Sequence, residues 1–312
     1  MPRLVGIGEA MGELRLAPGA SLQLDVSGDV FNTLAYVRAL GAGDWGIGFV
    51  SAVGADPVSH ALRARCAKLG IEALFSVDAA QPLGLYLINT DETGERAFTY
   101  WRSASPARRL MATMDARGRD AILGADVVLV SGITLAILDD PQREQLEALV
   151  VAARARGARL AFDPNYRARL WSGVNDACGW VRRFYAMADM VFPGLEDEAA
   201  LSGARTATEI LEFASLAAAS EVVVKAGSEG VLARVGVTRV AWPFVRPSRV
   251  VDTTAAGDAF TAAWLVCRGR SLPPLACAAF AASTAAAVAS HPGAIVPFDA
   301  LPSVESQQEP VP

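Results

Sequence analysis

The segment from residue 250 to 260, V-V-D-T-T-A-A-G-D-A-F, combines two acids with a run of small residues. A strand-like stretch leads into Ala255, Ala256 and Gly257, and a helical pattern opens at Asp258. Small residues let a ligand approach the backbone closely, and the first N–H groups of a helix have no partner inside the helix. The segment therefore predicts a phosphate site beside a carboxylate that could accept a proton from an attacking hydroxyl. The alternative is that Asp258 only stabilises the helix terminus.

This run resembles the second signature of the ribokinase/PfkB family of sugar kinases, D-T-x-G-A-G-D. Both acids, the Thr pair and Gly257 match, whereas Ala255 replaces the usual first Gly. The 2-keto-3-deoxygluconate kinase branch of the family also carries T-A-A-G-D here. We expect Ala255 to adopt a negative φ, because a Cβ makes the left-handed region costly. The resemblance implies that Asp258 is the catalytic base and that Ala255, Ala256 and Gly257 bind the transferring phosphate.

Residues 27 to 35, S-G-D-V-F-N-T-L-A, together with G-E-A-M-G-E-L at 8 to 14, resemble the amino-terminal part of the same branch. In that family a Gly-Asp-x-x-Asn region contacts sugar hydroxyls. Gly28 allows close approach, while Asp29 and Asn32 offer an acceptor and an amide at a helix start. The resemblance implies that these three residues bind substrate. The alternative is that Asp29 caps the following helix.

Residues 90 to 102, T-D-E-T-G-E-R-A-F-T-Y-W-R, are similar to the T-D-x-T-G-E-R-x-F-x-Y-W-R run of ketodeoxygluconate kinases. The substrate of that branch is a sugar acid, so it brings a carboxylate. Arg102 and Arg167 could supply fork-shaped donors, each bond contributing about 1.5–3 kcal/mol. Tyr86 and Tyr100 could add phenolic hydrogen bonds. Taken alone, an Arg beside a Tyr-Trp pair is more often a surface cation–π contact.

Residues 162 to 171, F-D-P-N-Y-R-A-R-L-W, follow a buried-strand pattern at the edge of the sheet where ligands of open α/β sheets bind. The run resembles the family's F-D-x-N-x-R-x-x-L-W. That resemblance implies that Asn165 and Arg167 lie between sugar and phosphates, and it makes Asp163 an outer-shell ligand of hydrated Mg²⁺. A purely structural turn is the alternative.

Residues 222 to 230, V-V-V-K-A-G-S-E-G, resemble the family's V-K-x-G-x-x-G nucleotide loop. The resemblance implies that Lys225, Gly227 and Gly230 bind ATP, with adenine lying against the Ala-rich helix at 275 to 289. The alternative is a simple hairpin, which is what a G-x-x-G pattern after a strand usually indicates.

The magnesium-binding motif of the family is only partly matched in this chain. Where the family commonly has N-x-x-E, residues 192 to 198 read F-P-G-L-E-D-E, so that Gly194 replaces the Asn and Asp197 the Glu. Asp197 or Glu196 could order the water shell of Mg²⁺, or these acids could only favour the helix dipole. The resemblance leaves open whether K⁺ is a further cofactor.

The length and composition of the chain are compatible with a globular kinase of this family. The 312 residues are 52% hydrophobic, and a net charge of −5 excludes broad nucleic-acid or anionic-membrane binding. Met1 leads directly into a strand pattern with no secretory leader, which predicts a cytoplasmic protein. The four cysteines lack C-x-x-C spacing and are expected to be reduced, and two histidines cannot form a multi-histidine metal site.

Strand and helix patterns alternate along the chain, which favours a mostly parallel sheet with helices on both faces. Strands are predicted at 4–8, 46–53, 127–131, 159–162, 190–192, 221–225 and 230–235, and helices at 32–40, 57–69 and 141–156. Two segments, about 13–26 and 83–102, break the rhythm and predict a small β lid whose apolar outer face would mediate homo-oligomerisation. The resemblance implies a ribokinase-like three-layer α/β/α sandwich, with one domain at 1–302 and a disordered tail at 303–312.

The function expected from the resemblance is ATP-dependent phosphorylation of the C6 hydroxyl of 2-keto-3-deoxygluconate. A fructokinase or another sugar kinase of the family is an alternative, and a non-catalytic sugar-acid sensor is an alternative of another class. An NAD enzyme is disfavoured because Met11 occupies the third glycine position after the G-I-G at 6 to 8. The chain also has no Walker P-loop string, so phosphate binding depends on the helix at Asp258.

Overall fold

The computed structural model describes residues 1–17, 21–41, 43–90 and 96–304. Its strands are β1 (Arg3–Ile7), β2 (Met11–Ala17), β3 (Ser21–Ser27), β4 (Gly46–Val53), β5 (Glu72–Val77), β6 (Leu85–Thr90), β7 (Arg96–Trp101), β8 (Val127–Ser131), β9 (Arg159–Asp163), β10 (Met190–Val191), β11 (Glu221–Lys225), β12 (Val231–Val235) and β13 (Thr238–Trp242). The α-helices are α1 (Asp29–Leu40), α2 (Pro57–Lys68), α3 (Leu110–Thr113), α4 (Ala116–Leu123), α5 (Gly132–Ile137), α6 (Asp140–Ala155), α7 (Val174–Met187), α8 (Leu195–Ser202), α9 (Ala207–Leu211), α10 (Ala256–Gly269) and α11 (Pro274–Ala289).

The main sheet has nine strands in the order β13-β12-β11-β10-β9-β8-β1-β4-β5. Neighbours from β11 to β5 pair in parallel, and only β12 and β13 join in antiparallel fashion. The central strands are apolar without alternation because helices cover both of their faces. The two faces carry separate cores, one with Phe31, Trp264 and Phe280 and the other with Leu146 and Phe184. The predicted three-layer α/β/α sandwich is therefore confirmed.

The lid is a second sheet of four strands in the order β3-β2-β6-β7. Its strands come from the two segments that broke the α/β rhythm. In β2 and β3 the pairs Leu14 with Leu24 and Leu16 with Leu22 share the outer face, whereas Tyr86 pairs with Tyr100 on the inner face. The predicted turn at 91 to 94 lies outside the described residues.

Several predicted boundaries needed correction. β5 and β13 were not expected, α1 begins at Asp29 rather than Asn32, and α10 begins at Ala256. Val304 is buried in the core, so the ordered chain extends past the predicted start of the tail at 303, and residues 305–312 lie outside the described part. None of the helices in the described ranges has the length and apolar character needed to cross a bilayer.

Candidate active site

The parallel strands bring the predicted side chains to one edge of the main sheet, beneath the inner face of the lid. There they line a polar cleft of about 340 Å³. The predicted residues that line this polar cleft are Gly28, Asp29, Asn32, Tyr86, Tyr100, Arg102, Asn165, Arg167, Lys225, Ala255, Gly257 and Asp258. Residues more than two hundred positions apart thus meet because carboxyl ends of parallel strands share an edge.

The amino terminus of α10 faces the polar cleft. Ala255 precedes the helix with φ 61 and ψ 7, so the predicted negative φ is wrong. The left-handed backbone costs an L-residue about 1–2 kcal/mol, which is tolerable for the small Ala and turns the chain into the helix. No side chain caps α10, and its first N–H groups are free of intrahelical partners. A positive helix terminus therefore opens onto the cleft.

Asp258 is the third residue of α10 and lies half-buried in the cleft. Asn32 donates from Nδ2 to Asp258 Oδ2 at 2.9 Å. Burial and the nearby negative charge of Asp29 raise the pKa of Asp258 to about 7, although the Asn32 bond opposes the shift. The carboxylate is thus poised to take up a proton near neutral pH.

Asp29 lies in the first turn of α1 and not at its N-cap, which is Gly28. Its Oδ1 accepts from the backbone of Val30 at 2.9 Å, and its Oδ2 accepts from Asn165 Nδ2 at 2.8 Å. Asn165 itself has a positive φ of 33. Asp29 therefore both stabilises the helix start and joins it to the loop after β9.

Lys225 lies beside the start of α10. Its Nζ is 2.6 Å from Asp163 Oδ2, and a Cβ added to Gly257 would lie 3.7 Å from the same Nζ. Thr261 donates to Asp163 Oδ2 at 3.1 Å. Asp163 thus holds Lys225 in the cleft, and its predicted role as an outer-shell ligand of Mg²⁺ stays a prediction.

The lid contributes an aromatic wall. The rings of Tyr86 and Tyr100 stack with centroids 5.7 Å apart, and the guanidinium of Arg169 lies 3.8 Å from the centroid of Tyr100. The Tyr86 hydroxyl donates to Glu13. Arg102 is buried and donates to Glu9. Two of the expected substrate donors are therefore already held by carboxylates, Tyr86 by Glu13 of the lid and Arg102 by Glu9 between β1 and β2.

Arg167 is more exposed than Arg102. Its Nη1 donates to the Tyr166 carbonyl at 2.9 Å and lies 3.7 Å from Asp197 Oδ1. The sequence analysis missed Arg169 and Glu9, although the R-x-R spacing after β9 and the position of Glu9 two residues after β1 were available signals.

An apolar cleft of about 270 Å³ adjoins the polar one. It is lined by Lys225, Gly227, Gly230, Ala256 and four alanines of α11, namely Ala282, Ala285, Ala286 and Ala289. Gly227 and Gly230 have φ of 56 and 93, and a Cβ on Gly230 would lie 2.2 Å from the Trp242 carbonyl. The outer wall of the apolar cleft consists of Phe244, Val245, Pro247 and Val250. The sequence analysis did not predict these residues. The two clefts meet at Lys225, Thr253 and Gly257.

The candidate metal residues lie to one side. Asp197 accepts from the Tyr166 backbone at 3.2 Å, and burial raises its pKa, while Glu196 is exposed. Within the described ranges no cluster of three or more His, Cys, Asp or Glu could hold a metal ion. A lone carboxylate fits an ion that keeps its waters and is bound mainly by phosphates, as Mg²⁺ is.

Comparison with known proteins identifies a family and a fold. A family model described as pfkB family carbohydrate kinase matches residues 1–301. The 2-dehydro-3-deoxygluconokinase of Dickeya dadantii (strain 3937) is 36% identical over 304 residues, which covers 95% of this chain and 97% of its own. A fructokinase of Klebsiella pneumoniae is 29% identical over 220 residues, or 70% of this chain and 69% of its own. Among solved structures, a putative ribokinase II from E. coli in complex with ATP and Mg²⁺ has a TM-score of 0.82 at 20% identity, with 99% and 98% of the two chains covered.

Proposed function

Because this chain belongs to the pfkB family of carbohydrate kinases, we propose that it phosphorylates the C6 hydroxyl of 2-keto-3-deoxygluconate at the expense of ATP. The product is 2-keto-3-deoxy-6-phosphogluconate. The relatives that match nearly the whole chain at 31–36% identity are named for this substrate under its synonym 2-dehydro-3-deoxygluconate.

The observation that carries the proposal is the position of Asp258. It lies at the helix terminus where the polar cleft, suited to a sugar acid, adjoins the apolar cleft, suited to adenine. A carboxylate of raised pKa, a cation and helix N–H groups without an intrahelical partner converge there. Phosphoryl transfer is mostly positioning and charge stabilisation, and this arrangement supplies both.

In the proposed reaction the C6 oxygen attacks the γ-phosphorus, the bond from that phosphorus to the β-γ bridging oxygen breaks, and the hydroxyl proton passes to Asp258. The backbone N–H groups from Ala255 to Asp258 are proposed to face the transferring group, although that of Ala256 also donates to the Thr253 carbonyl at 3.2 Å. Lys225 adds positive charge beside them. Bound Mg²⁺ would neutralise phosphate charge, and Asp197 or Glu196 is proposed to contact its water shell.

On the acceptor side, Gly28, Asp29 and Asn32 are proposed to contact sugar hydroxyls. Arg102 and Arg167 are proposed to bind the carboxylate of the sugar acid. Tyr86 and Tyr100 are proposed to contact the sugar from the lid side. Asn165 and Arg167 stand between the two substrates. The base of the nucleotide would lie over the α11 alanines, with Gly227 and Gly230 beside the ribose and phosphates.

An ADP-release assay with a panel of sugars tests the proposal. Wild-type protein should consume ATP with 2-keto-3-deoxygluconate far faster than with fructose or ribose. Preferred turnover of fructose would favour a fructokinase. Stabilisation by the sugar acid on melting, with no ATP consumption, would favour a sensor without catalysis.

The pH dependence follows from the raised pKa of Asp258. A base acts when deprotonated, so kcat/KM for the sugar acid should fall about tenfold per pH unit below about pH 7 and level off above it. Steady-state rates from pH 5 to 9 measure this. Asp29→Asn should move the falling limb to lower pH by removing the nearby negative charge. A flat profile between pH 5 and 8 would contradict the assignment of Asp258 as the base.

The apolar cleft gives a second test. Ala286→Phe should fill it and raise KM for ATP by about tenfold or more, since overpacking and lost base contacts each cost about 1–3 kcal/mol. KM for the sugar should stay near wild type. Ala287→Phe is the matched control, on the same helix but outside the cleft lining. Equal effects of both variants on ATP would argue against a nucleotide in this cleft.

Association through the lid is proposed from its outer face, where Leu16, Leu22, Leu24 and Trp101 are about half exposed. A contiguous apolar face on a sheet is suited to a second copy of itself. Light scattering should report a homo-oligomer that Leu22→Glu dissociates. Three expectations from the sequence stay predictions: a single domain at 1–302, a cytoplasmic location and activation by K⁺. Exchanging K⁺ for Na⁺ in the ADP-release assay tests the last of them.

A further inference from the structure

A buried carboxylate lies at the base of the lid. Glu9 is 2% exposed and sits in the short link between β1 of the main sheet and β2 of the lid. Arg102, 9% exposed, directly follows β7, where the chain returns from the lid to the main sheet. The Glu9–Arg102 ion pair therefore joins the first and last crossings between lid and body.

The contacts around the pair are tight and incomplete. Arg102 donates from Nη2 to Glu9 Oε2, and a Cβ added to Gly84 would lie 3.3 Å from Glu9 Oε1 and 3.2 Å from Arg102 Cβ. Within the described ranges, Arg102 Nε is buried without a hydrogen-bond partner, whereas the Ser105 hydroxyl lies against Glu9 and, like Arg102, opposes the rise in its pKa. A guanidinium has five N–H donors, so the bond to Glu9 leaves donors of Arg102 for a ligand.

Each charge of the pair depends on the other. Burial raises the pKa of Glu9, and the positive charge of Arg102 opposes that shift. A buried ion that loses its partner is left uncompensated, which is costly. Of the two, only Arg102 lines the polar cleft, whereas Glu9 lies behind it.

The other two arginines of the cleft are fixed differently. Arg167 has a 46% exposed side chain and bonds to the carbonyl of its neighbour Tyr166, and Arg169 lies over the Tyr100 ring. Long exposed side chains lose rotamer freedom when they bind a ligand, whereas one already held in place does not. Arg102 is thus the pre-organised arginine of the cleft, and Glu9 is the residue that holds it.

We infer that Glu9 is a positioning residue for substrate selection: it holds Arg102 in the cleft wall with guanidinium donors left for the carboxylate of a sugar acid. The inference rests on the proposed function, because it requires an acidic substrate. It assigns Glu9 no contact with the substrate and no part in phosphoryl transfer.

The test is a double-mutant cycle read out as KM and kcat with 2-keto-3-deoxygluconate and ATP. Glu9→Ala should raise KM for the sugar acid by about tenfold or more, with kcat and the KM for ATP within about threefold of wild type, as expected when uniform binding is lost. Arg102→Ala should raise KM similarly. The double variant should be no worse than Arg102→Ala alone, because Glu9 acts only through Arg102.

Conservative variants separate positioning from folding. Glu9→Gln can still accept from Arg102 and should keep KM within about threefold of wild type, whereas Glu9→Asp, one methylene shorter, should raise it. If Glu9→Ala does not fold, the difference in KM between Glu9→Gln and Glu9→Asp tests the positioning role of Glu9. Glu221→Ala is the matched control, since Glu221 is a buried carboxylate 3.0 Å from Arg268 Nε and is not among the residues that line the cleft.

Effects of Glu9→Ala and Arg102→Ala that multiply in the double variant would overturn the inference. So would a KM increase for the sugar acid with Glu221→Ala as large as with Glu9→Ala, or Glu9→Gln and Glu9→Asp behaving alike. A wild-type protein that does not phosphorylate the sugar acid would instead refute the proposed function, so the two failures are distinguishable.

Discussion

Asp258→Asn is expected to lower kcat by about 10²- to 10⁴-fold, the range typical for loss of a general base. The side chain keeps its size, and the new amide oxygen can still accept from Asn32 Nδ2, which now bonds to Asp258 Oδ2 at 2.9 Å. The loss is therefore confined to proton acceptance. Steady-state kcat with saturating ATP and 2-keto-3-deoxygluconate measures it.

Binding and stability provide the controls for this variant. Calorimetric affinities for ATP and for the sugar acid should stay close to wild type. An acid whose folded pKa is raised loses stability as pH rises from its ordinary value to about 7, and Asn has no such loss. The variant should therefore melt no lower than wild type at pH 8. Turnover within a few-fold of wild type would remove Asp258 from the role of base.

Arg102→Ala should lower kcat/KM for 2-keto-3-deoxygluconate by about ten- to a hundredfold, because charge-assisted bonds to a carboxylate contribute about 1.5–3 kcal/mol each. The burial of Arg102 in the cleft wall makes its contribution larger than that of a solvent-exposed arginine. The measurement is kcat/KM for the acid sugar beside that for a neutral ketose.

The selectivity of the effect is the decisive part. Neutral sugars lack the carboxylate, so their kcat/KM should change little and the preference for the acid should shrink. Arg102→Lys keeps the charge but not the fork, and it should fall between wild type and the Ala variant. An equal loss on acid and neutral sugars would indicate that Arg102 shapes the lid without recognising the carboxylate.

Much of the fold could be predicted because the central strands are continuous apolar runs. β4, β8 and β11 have the predicted bounds. The two strands that were missed, β5 and β13, are the two edges of the main sheet. Edge strands are partly exposed, so their residues mix apolar and polar types and give a weak pattern.

The candidate active site, like the fold, could be predicted only in part. Motifs located Asp258, Lys225 and Arg102, and the topology explains why they meet. The conformation of Ala255 could not be inferred, since propensity disfavours a positive φ and the demands of the turn into α10 override it. The pairing of Arg102 with Glu9 was equally hidden, because it depends on where two lid crossings meet in space.

The lid supplies Tyr86, Tyr100 and Arg102, whereas the residues that line the apolar cleft all fall between 225 and 289 in the body. Substitutions in the β6–β7 hairpin can therefore alter the acceptor side without touching the apolar cleft proposed for the nucleotide. For protein engineering, that hairpin is the place to retarget the enzyme.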